Sequence, residues 1–234
     1  MKGYSQFCPV AKGAEIFNER WTPLIIRELM CGSSRFNDLK RGNPMMSPSL
    51  LSQRLKFLEQ AGVIEKKARK GEAPEYFLTP AGNDLGEIVV RLGLWGIEHA
   101  RSRLTREDYD PQLLMWDIRR RIDVSEFPDR RIVISFMFQD MPSNKRAYWL
   151  IVEHGEVDLC MKYPGFKEDL AFVTTSKVMA DIWMNYSTMH KEIRSKTLKL
   201  SGTAGLKSSI DDWFSYSFFS SPDTLREELS RDAS

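Results

Sequence analysis

The chain has 234 residues, 42% of them apolar and 28% charged, enough for one large domain or for two of about 100 to 130 residues. Its 34 Lys plus Arg against 32 Asp plus Glu leave a formal net charge of +2, which excludes a histone-like polycation and an acidic disordered tail. Three cysteines do not make a secreted disulfide framework, and no apolar run approaches the roughly 18 residues of a membrane span, so a cytoplasmic protein with no membrane partner is expected.

The near-neutral average hides two unlike parts. Residues 1–105 hold 16 Lys plus Arg and 11 Asp plus Glu, whereas residues 106–234 hold 18 and 21. The polar stretch from Ser102 to Pro111 separates them, which predicts two domains, 1–105 and 106–234. In the first, Cys8, Thr22, Ser47 and Thr79 each precede a proline, the order of a helix cap followed by a first helical residue that needs no N–H. Gly32 and Gly62 stand where helices should stop. Helices are therefore predicted over 22–31, 35–41, 47–61 and 80–103, with a first one opening at Cys8. Residues 63–79 alternate around a charged tip containing Gly71 and Pro74 and read as a hairpin.

This is the order of a winged helix-turn-helix. Along 47–61, Leu51, Leu55 and Leu58 fall on one stripe, widened by Leu50 and Phe57. The opposite face presents Ser49, Ser52, Gln53 and Lys56, with Arg54 at its flank, residue types that bond base edges and phosphates. The hairpin tip adds Lys66, Lys67, Arg69 and Lys70, suited to a phosphate backbone. Double-stranded DNA is the expected partner.

Cys8, Pro9 and Val10, then Arg20, Trp21 and Thr22, the run from Arg35 to Leu39, LSQRLKFLEQAGVIE and Tyr76 to Gly82 together resemble the HxlR family of bacterial winged-helix regulators. The resemblance covers about Phe7 to Ala100. It implies a homodimer held by the first and last helices, with 47–61 as recognition helix and 63–78 as wing. Independently, Leu85, Ile88, Val89, Leu92 and Trp95 make a longer apolar stripe than one small domain needs. Several members of the resembled family sense electrophiles or oxidants through a cysteine at the position of Cys8. Here the positive end of a helix would favour a thiolate, with Lys12 one turn on as a further cation. Cys8 is thus a candidate redox switch, and plain half-buried packing is the alternative. Cys31 and Cys160 read as packing residues.

Beyond Pro111 the pattern changes to strands at 130–138, at 146–162 (two, joined through His154 and Gly155) and at 170–176. A helix follows from Lys177 to His190, then a strand at 197–202 and a closing amphipathic helix marked by Leu206, Ile210, Trp213, Phe214 and Phe218. The expected fold class is α+β: a mainly α winged helix followed by an antiparallel meander with helices. From about Leu170 to Ser220 the order of elements is similar to the sterol carrier protein 2 domain, which implies a cavity for a hydrophobic small-molecule effector. Seven of the 11 Met and four of the six Trp lie in this half; Met137, Trp149, Met179, Trp183, Trp213 and Phe214 are its expected lining, unless they simply pack as core.

No catalytic constellation is present. His99, His154 and His190 are scattered, without metal-ligand spacing, and Gly-rich phosphate loops and nucleophile elbows are missing. No cofactor, no metal and no enzymatic activity are expected. The expected function is transcriptional regulation, by a dimer on an inverted repeat, with an effector in the second domain. A thiol sensor at Cys8 and, outside that class, a lipid carrier or acyl-handling protein are the alternatives.

Overall fold

Proline stands at the first or second position of four helices in the first half, and a side-chain hydroxyl caps two of them. A computed structural model of the chain describes residues 3–69 and 71–231, so the Lys70 of the wing tip lies outside the described residues. Among these the chain forms two compact units, divided between Arg101 and Ser102.

The first unit contains α1 (Pro9–Phe17), α2 (Thr22–Met30), α3 (Phe36–Arg41), α4 (Pro48–Gln60), β1 (Ile64–Lys67), β2 (Glu75–Leu78) and α5 (Pro80–His99). Ser47 caps α4 by accepting a hydrogen bond from the Leu50 N–H, and Thr79 caps α5 by accepting one from Gly82. Thr22 does not cap α2. The chain from Glu19 to Thr22 closes a type II turn, with the Thr22 N–H donating to the Glu19 carbonyl at 2.9 Å and Trp21 in the left-handed position at φ 81°. Trp21 therefore occupies the cap position, and Thr22 is drawn fully into the core, its hydroxyl unpartnered.

At the far end of α4 the Val63 N–H donates to the Leu58 carbonyl and the Gly62 N–H to Glu59, a left-handed helix stop that Gly62 makes at φ +72°. The chain then turns directly into β1, which pairs antiparallel with β2 from Ile64 opposite Leu78 to Lys67 opposite Glu75. Gly82 lets α5 start against this hairpin, since a Cβ there would lie 2.1 Å from the Val63 carbonyl oxygen. The core joins Ile25, Ile26, Leu39, Met46, Leu51, Leu55, Leu58, Val63, Ile64, Tyr76 and Val89.

The second unit is α+β with a mixed sheet. It opens with α6 (Pro111–Arg119), a helix absent from the sequence expectation although Asp110 before Pro111 repeats the cap grammar of the first half. The Asp110 carboxylate accepts from the Gln112 and Leu113 N–H groups. The strands are β3 (Ile132–Phe138), β4 (Ala147–Glu153), β5 (Glu156–Cys160), β6 (Leu170–Thr174) and β7 (Lys199–Gly202), in the order β5-β4-β3-β6-β7.

The expected antiparallel meander holds for β3, β4 and β5 and fails at β6, which runs parallel to β3. The segment 161–169 carries the chain back across the sheet, so β6 adds on the far side of β3 in the same direction. Alternation within a strand is the same for either direction and could not reveal this.

Two expected helices are broken. Residues 177–190 divide into α7 (Ser176–Trp183) and α8 (Met189–Arg194), because Asn185 takes a left-handed conformation at φ 57° and the Tyr186 and Ser187 N–H groups turn back to the Asp181 carbonyl. The closing helix divides into α9 (Ala204–Ser208) and α10 (Ile210–Trp213); Phe214 is extended and bridges to Ile122. A further helix, α11 (Pro222–Arg231), follows Ser221.

The Glu192 carboxylate in α8 accepts hydrogen bonds from the Ser187 and Thr197 hydroxyls, joining the two ends of the α8 segment. Those bonds, the Ser187 bond first, hold its carboxyl below the ordinary 4.5. A carboxyl depressed on folding adds stability above its ordinary value and loses it as pH falls through the folded value. The urea midpoint of the second unit is expected to fall more steeply from about pH 5 to about pH 3 in the wild type than in Glu192→Gln, read by far-UV circular dichroism.

Candidate nucleic-acid interface

Burial of one face of α4 determines what the other face offers. Leu51, Leu55 and Leu58 are at most 1% exposed, so Ser49, Ser52, Gln53 and Lys56 all point to solvent. The Ser49 hydroxyl lies 3.1 Å from that of Ser47, at the helix start. These four residues form one polar surface, as the periodicity predicts.

Arg54 departs from that expectation. Its guanidinium turns back to Glu19, just beyond α1, with Nη2 to Oε2 at 2.6 Å, and both side chains are less than one-fifth exposed. Arg54 Nε is buried without a hydrogen-bond partner. The residue is a strut between the α1 end and α4, and its charge is compensated within the unit. Sequence spacing could place Arg54 on the flank of the helix but could not show that Glu19 waits there.

On the wing, Lys66, Lys67 and Arg69 are all exposed; Lys67 Nζ lies 2.6 Å from Glu65 and 4.9 Å from the centre of the Phe77 ring. Ser34 and Glu75, which no sequence motif singled out, join Arg35 and Tyr76 in holding the wing in place. The Tyr76 N–H donates to the Ser34 carbonyl at 2.8 Å, the Ser34 hydroxyl donates to Glu75 at 3.3 Å, and Arg35 Nε approaches the same carboxylate at 3.6 Å. Behind them, the fully buried Glu28 takes hydrogen bonds from Arg27 Nη2 at 2.6 Å and the Ser33 hydroxyl at 3.2 Å, while Arg27 also donates to the Gly42 carbonyl. These bonds fix α2 against both ends of α3.

Cys8 stands at the N-cap of α1, half-buried, with no cap hydrogen bond from its side chain. The expected cation beside it is engaged elsewhere: Lys12 Nζ bonds both Glu15 oxygens, at 3.0 and 3.2 Å. That bond first, and the Tyr4 N–H second, hold the Glu15 carboxyl below its ordinary range. Cys160 is half-buried in β5, where burial and then Asp158 push its thiol up, against reactivity. On α5, Ile88, Leu92 and Trp95 stay between 46% and 54% exposed, while Val89 enters the core.

The six expected effector-lining residues do not come together. Met179, Trp183, Trp213 and Phe214 are buried in one core cluster, with Trp213 ring-packed against Phe127, Phe172 and Phe214 and its indole N–H donating to the Leu206 carbonyl. Met137 and Trp149 project from the other face of the sheet, because side chains alternate along β3 and β4. There Trp149 donates to Glu168 at 3.0 Å and meets Tyr163 edge-on.

The HxlR-like helix-turn-helix family matches residues 16–103, spanning α2 to α5. Over 98 residues the chain is 37% identical to the HTH-type transcriptional regulator YvaP of Bacillus subtilis, covering 40% of this chain and 90% of that one. The chain belongs to the HxlR-like family. A second relative, the HTH-type transcriptional regulator YodB of B. subtilis, is 35% identical over 92 residues, 38% of this chain and 81% of YodB. The reduced form of YodB has been solved; it is 30% identical, covers 42% of this chain and 98% of its own, and has a TM-score of 0.36. These HxlR-like relatives are named as transcriptional regulators, a class that is not enzymatic, and no helix among the described residues is long and apolar enough to cross a membrane.

If Arg54 is a strut, Glu19→Ala should cost about 2 kcal/mol of stability in the first unit, because it leaves a largely buried cation unpaired. The apolar pair Glu19→Leu with Arg54→Met should recover most of that loss and the DNA affinity with it, as urea melts and gel-shift titrations would show. An Arg54 that anchored phosphate would leave the double variant stable but weak on DNA.

Proposed function

We propose that the protein binds double-stranded DNA as a homodimer, with α4 in the major groove and the β1–β2 wing on the backbone. The observation that carries this is the outward face of α4, where Ser49, Ser52, Gln53 and Lys56 are all exposed above a buried leucine stripe. The exposed Ile88, Leu92 and Trp95 of α5, with Val10 of α1 at 78% exposure, supply apolar surface for the dimer seam. A two-fold axis through that seam presents two α4 helices to successive major grooves about 34 Å apart, on an inverted repeat. Lys66, Arg69 and Lys70 changed together to Ala should weaken binding to all duplexes alike and flatten the log–log salt slope by about 0.9 for each phosphate that is no longer neutralised. Gln53→Ala should instead relax sequence preference; a uniform loss would remove Gln53 from base reading.

The second unit is the regulatory part of this reading: a sterol-carrier-like domain that takes a hydrophobic effector beside Met179, Trp183, Trp213 and Phe214. These four belong to one aromatic and Met-containing cluster, while Met137 and Trp149 lie outside it. Cys8 carries the second reading, a thiol switch, because it stands at the N-terminal end of α1, an element of the proposed seam. One titration separates the two. Operator affinity is measured with diamide and with oleate, in the wild type and in Cys8→Ser. A diamide response lost in Cys8→Ser assigns the switch to the thiol, and an oleate response kept in that variant assigns it to the second unit. A lipid carrier with no regulatory role would bind oleate with operator affinity unchanged.

A further inference from the structure

We propose that Met45 is a specificity-determining residue that contacts the 5-methyl group of a thymine at the N-terminal end of α4. This rests on the DNA-binding reading of α4 given above. Met45 occupies the turn of the helix-turn-helix, between α3 and the Ser47 cap, and is 79% exposed. Residues Asn43 to Met46 form a β-turn closed by the Met46 N–H donating to the Asn43 carbonyl at 3.0 Å. Pro44 fixes φ at its second position and Met45, which has no positive φ, stands third, the geometry of a type I turn.

That turn is pinned on every side. The Asn43 side-chain amide, buried, donates to the Leu39 carbonyl at 2.9 Å; Lys40 Nζ donates to the Pro44 carbonyl at 3.0 Å; and Met46 is 1% exposed in the core. Met45 is therefore an apolar side chain projected from a rigid apex, at a position where Asn, Asp, Ser or Gly ordinarily stand. It takes no part in the core of its unit. It sits beside the end of α4 that, in a helix-turn-helix, meets the base edges.

The four polar residues of that surface lack what Met45 supplies. Ser49, Ser52, Gln53 and Lys56 can exchange hydrogen bonds or charge with bases and phosphates, but none is an apolar partner for the thymine methyl, one of the features that distinguish the four base pairs in the major groove. An unbranched thioether with three rotatable bonds adapts to a methyl group without demanding an exact fit. Burying one methyl is worth about a fourfold change in affinity.

The test uses the full chain. Preferred duplexes are selected from a randomised pool with the wild type, and each thymine of the selected site is then replaced by deoxyuridine, which lacks only the 5-methyl group. Affinities follow from fluorescence anisotropy for the wild type, Met45→Ala and Met45→Leu, with thermal melts to confirm that the exposed substitutions leave folding intact. The expected result is one thymine per half-site at which deoxyuridine weakens the wild type about fourfold, with the penalty kept in Met45→Leu and lost in Met45→Ala. A wild type that selects a sequence but shows no deoxyuridine penalty dependent on Met45 overturns the proposal alone. A wild type that prefers no duplex over another overturns the DNA reading, and this proposal with it.

Discussion

Everything the first unit presents to a partner depends on the burial of Leu51, Leu55 and Leu58. These side chains, each worth roughly 2 kcal/mol when removed from water, pull one face of α4 onto Ile25, Ile26, Leu39 and Met46. A helix has only one opposite face, so the same burial orients Ser49, Ser52, Gln53 and Lys56 outward. The Gly62 stop then turns the chain into β1 within two residues, and the wing lies where it does because α4 ends there.

Carboxylates decide which cations of this basic unit remain available. Glu19 takes Arg54, Glu65 takes Lys67, Glu75 approaches Arg35, and the buried Glu28 takes Arg27. The charge surplus of residues 1–105 is thus a poor map of where an anionic backbone would be held. Glu19 with Arg54 ties the end of α1 to α4, Glu28 with Arg27 ties α2 to both ends of α3, and the exposed Lys56, Lys66 and Arg69 are left to face outward. A half-buried pair such as Glu19 with Arg54 trades binding charge for rigidity, which a surface that must match a groove needs.

The second unit is organised around β3, the central strand, whose inward residues Ile132, Ile134, Phe136 and Phe138 are almost fully buried. Phe136 stacks on Phe172 across the parallel β3–β6 pair, and Trp213 closes over Phe172 edge-on, so aromatic packing ties the parallel strand to the helical layer. The same alternation that builds this core separates Met137 and Trp149 from it. Composition marked the half as rich in Met and Trp, but composition carries no information on which side of a sheet a residue projects.

From the sequence alone came the helix starts at Pro48 and Pro80, the leucine stripe and polar face of α4, the wing hairpin, and the β4–β5 turn at His154 and Gly155. All of these are local: a cap, a period or a turn is written within a few residues of where it acts. Asp110 before Pro111 was equally legible and marks α6. What only tertiary structure decided involves partners distant in the chain or choices that local pattern leaves degenerate. Glu19 claims Arg54 across 35 positions, β6 joins β3 in parallel, Trp21 takes the cap position from Thr22, and Asn185 breaks a helix whose apolar period continues through it. The physical reason is common to them: hydrophobic period and charge say which groups need burial or pairing, and the packed chain alone says with whom.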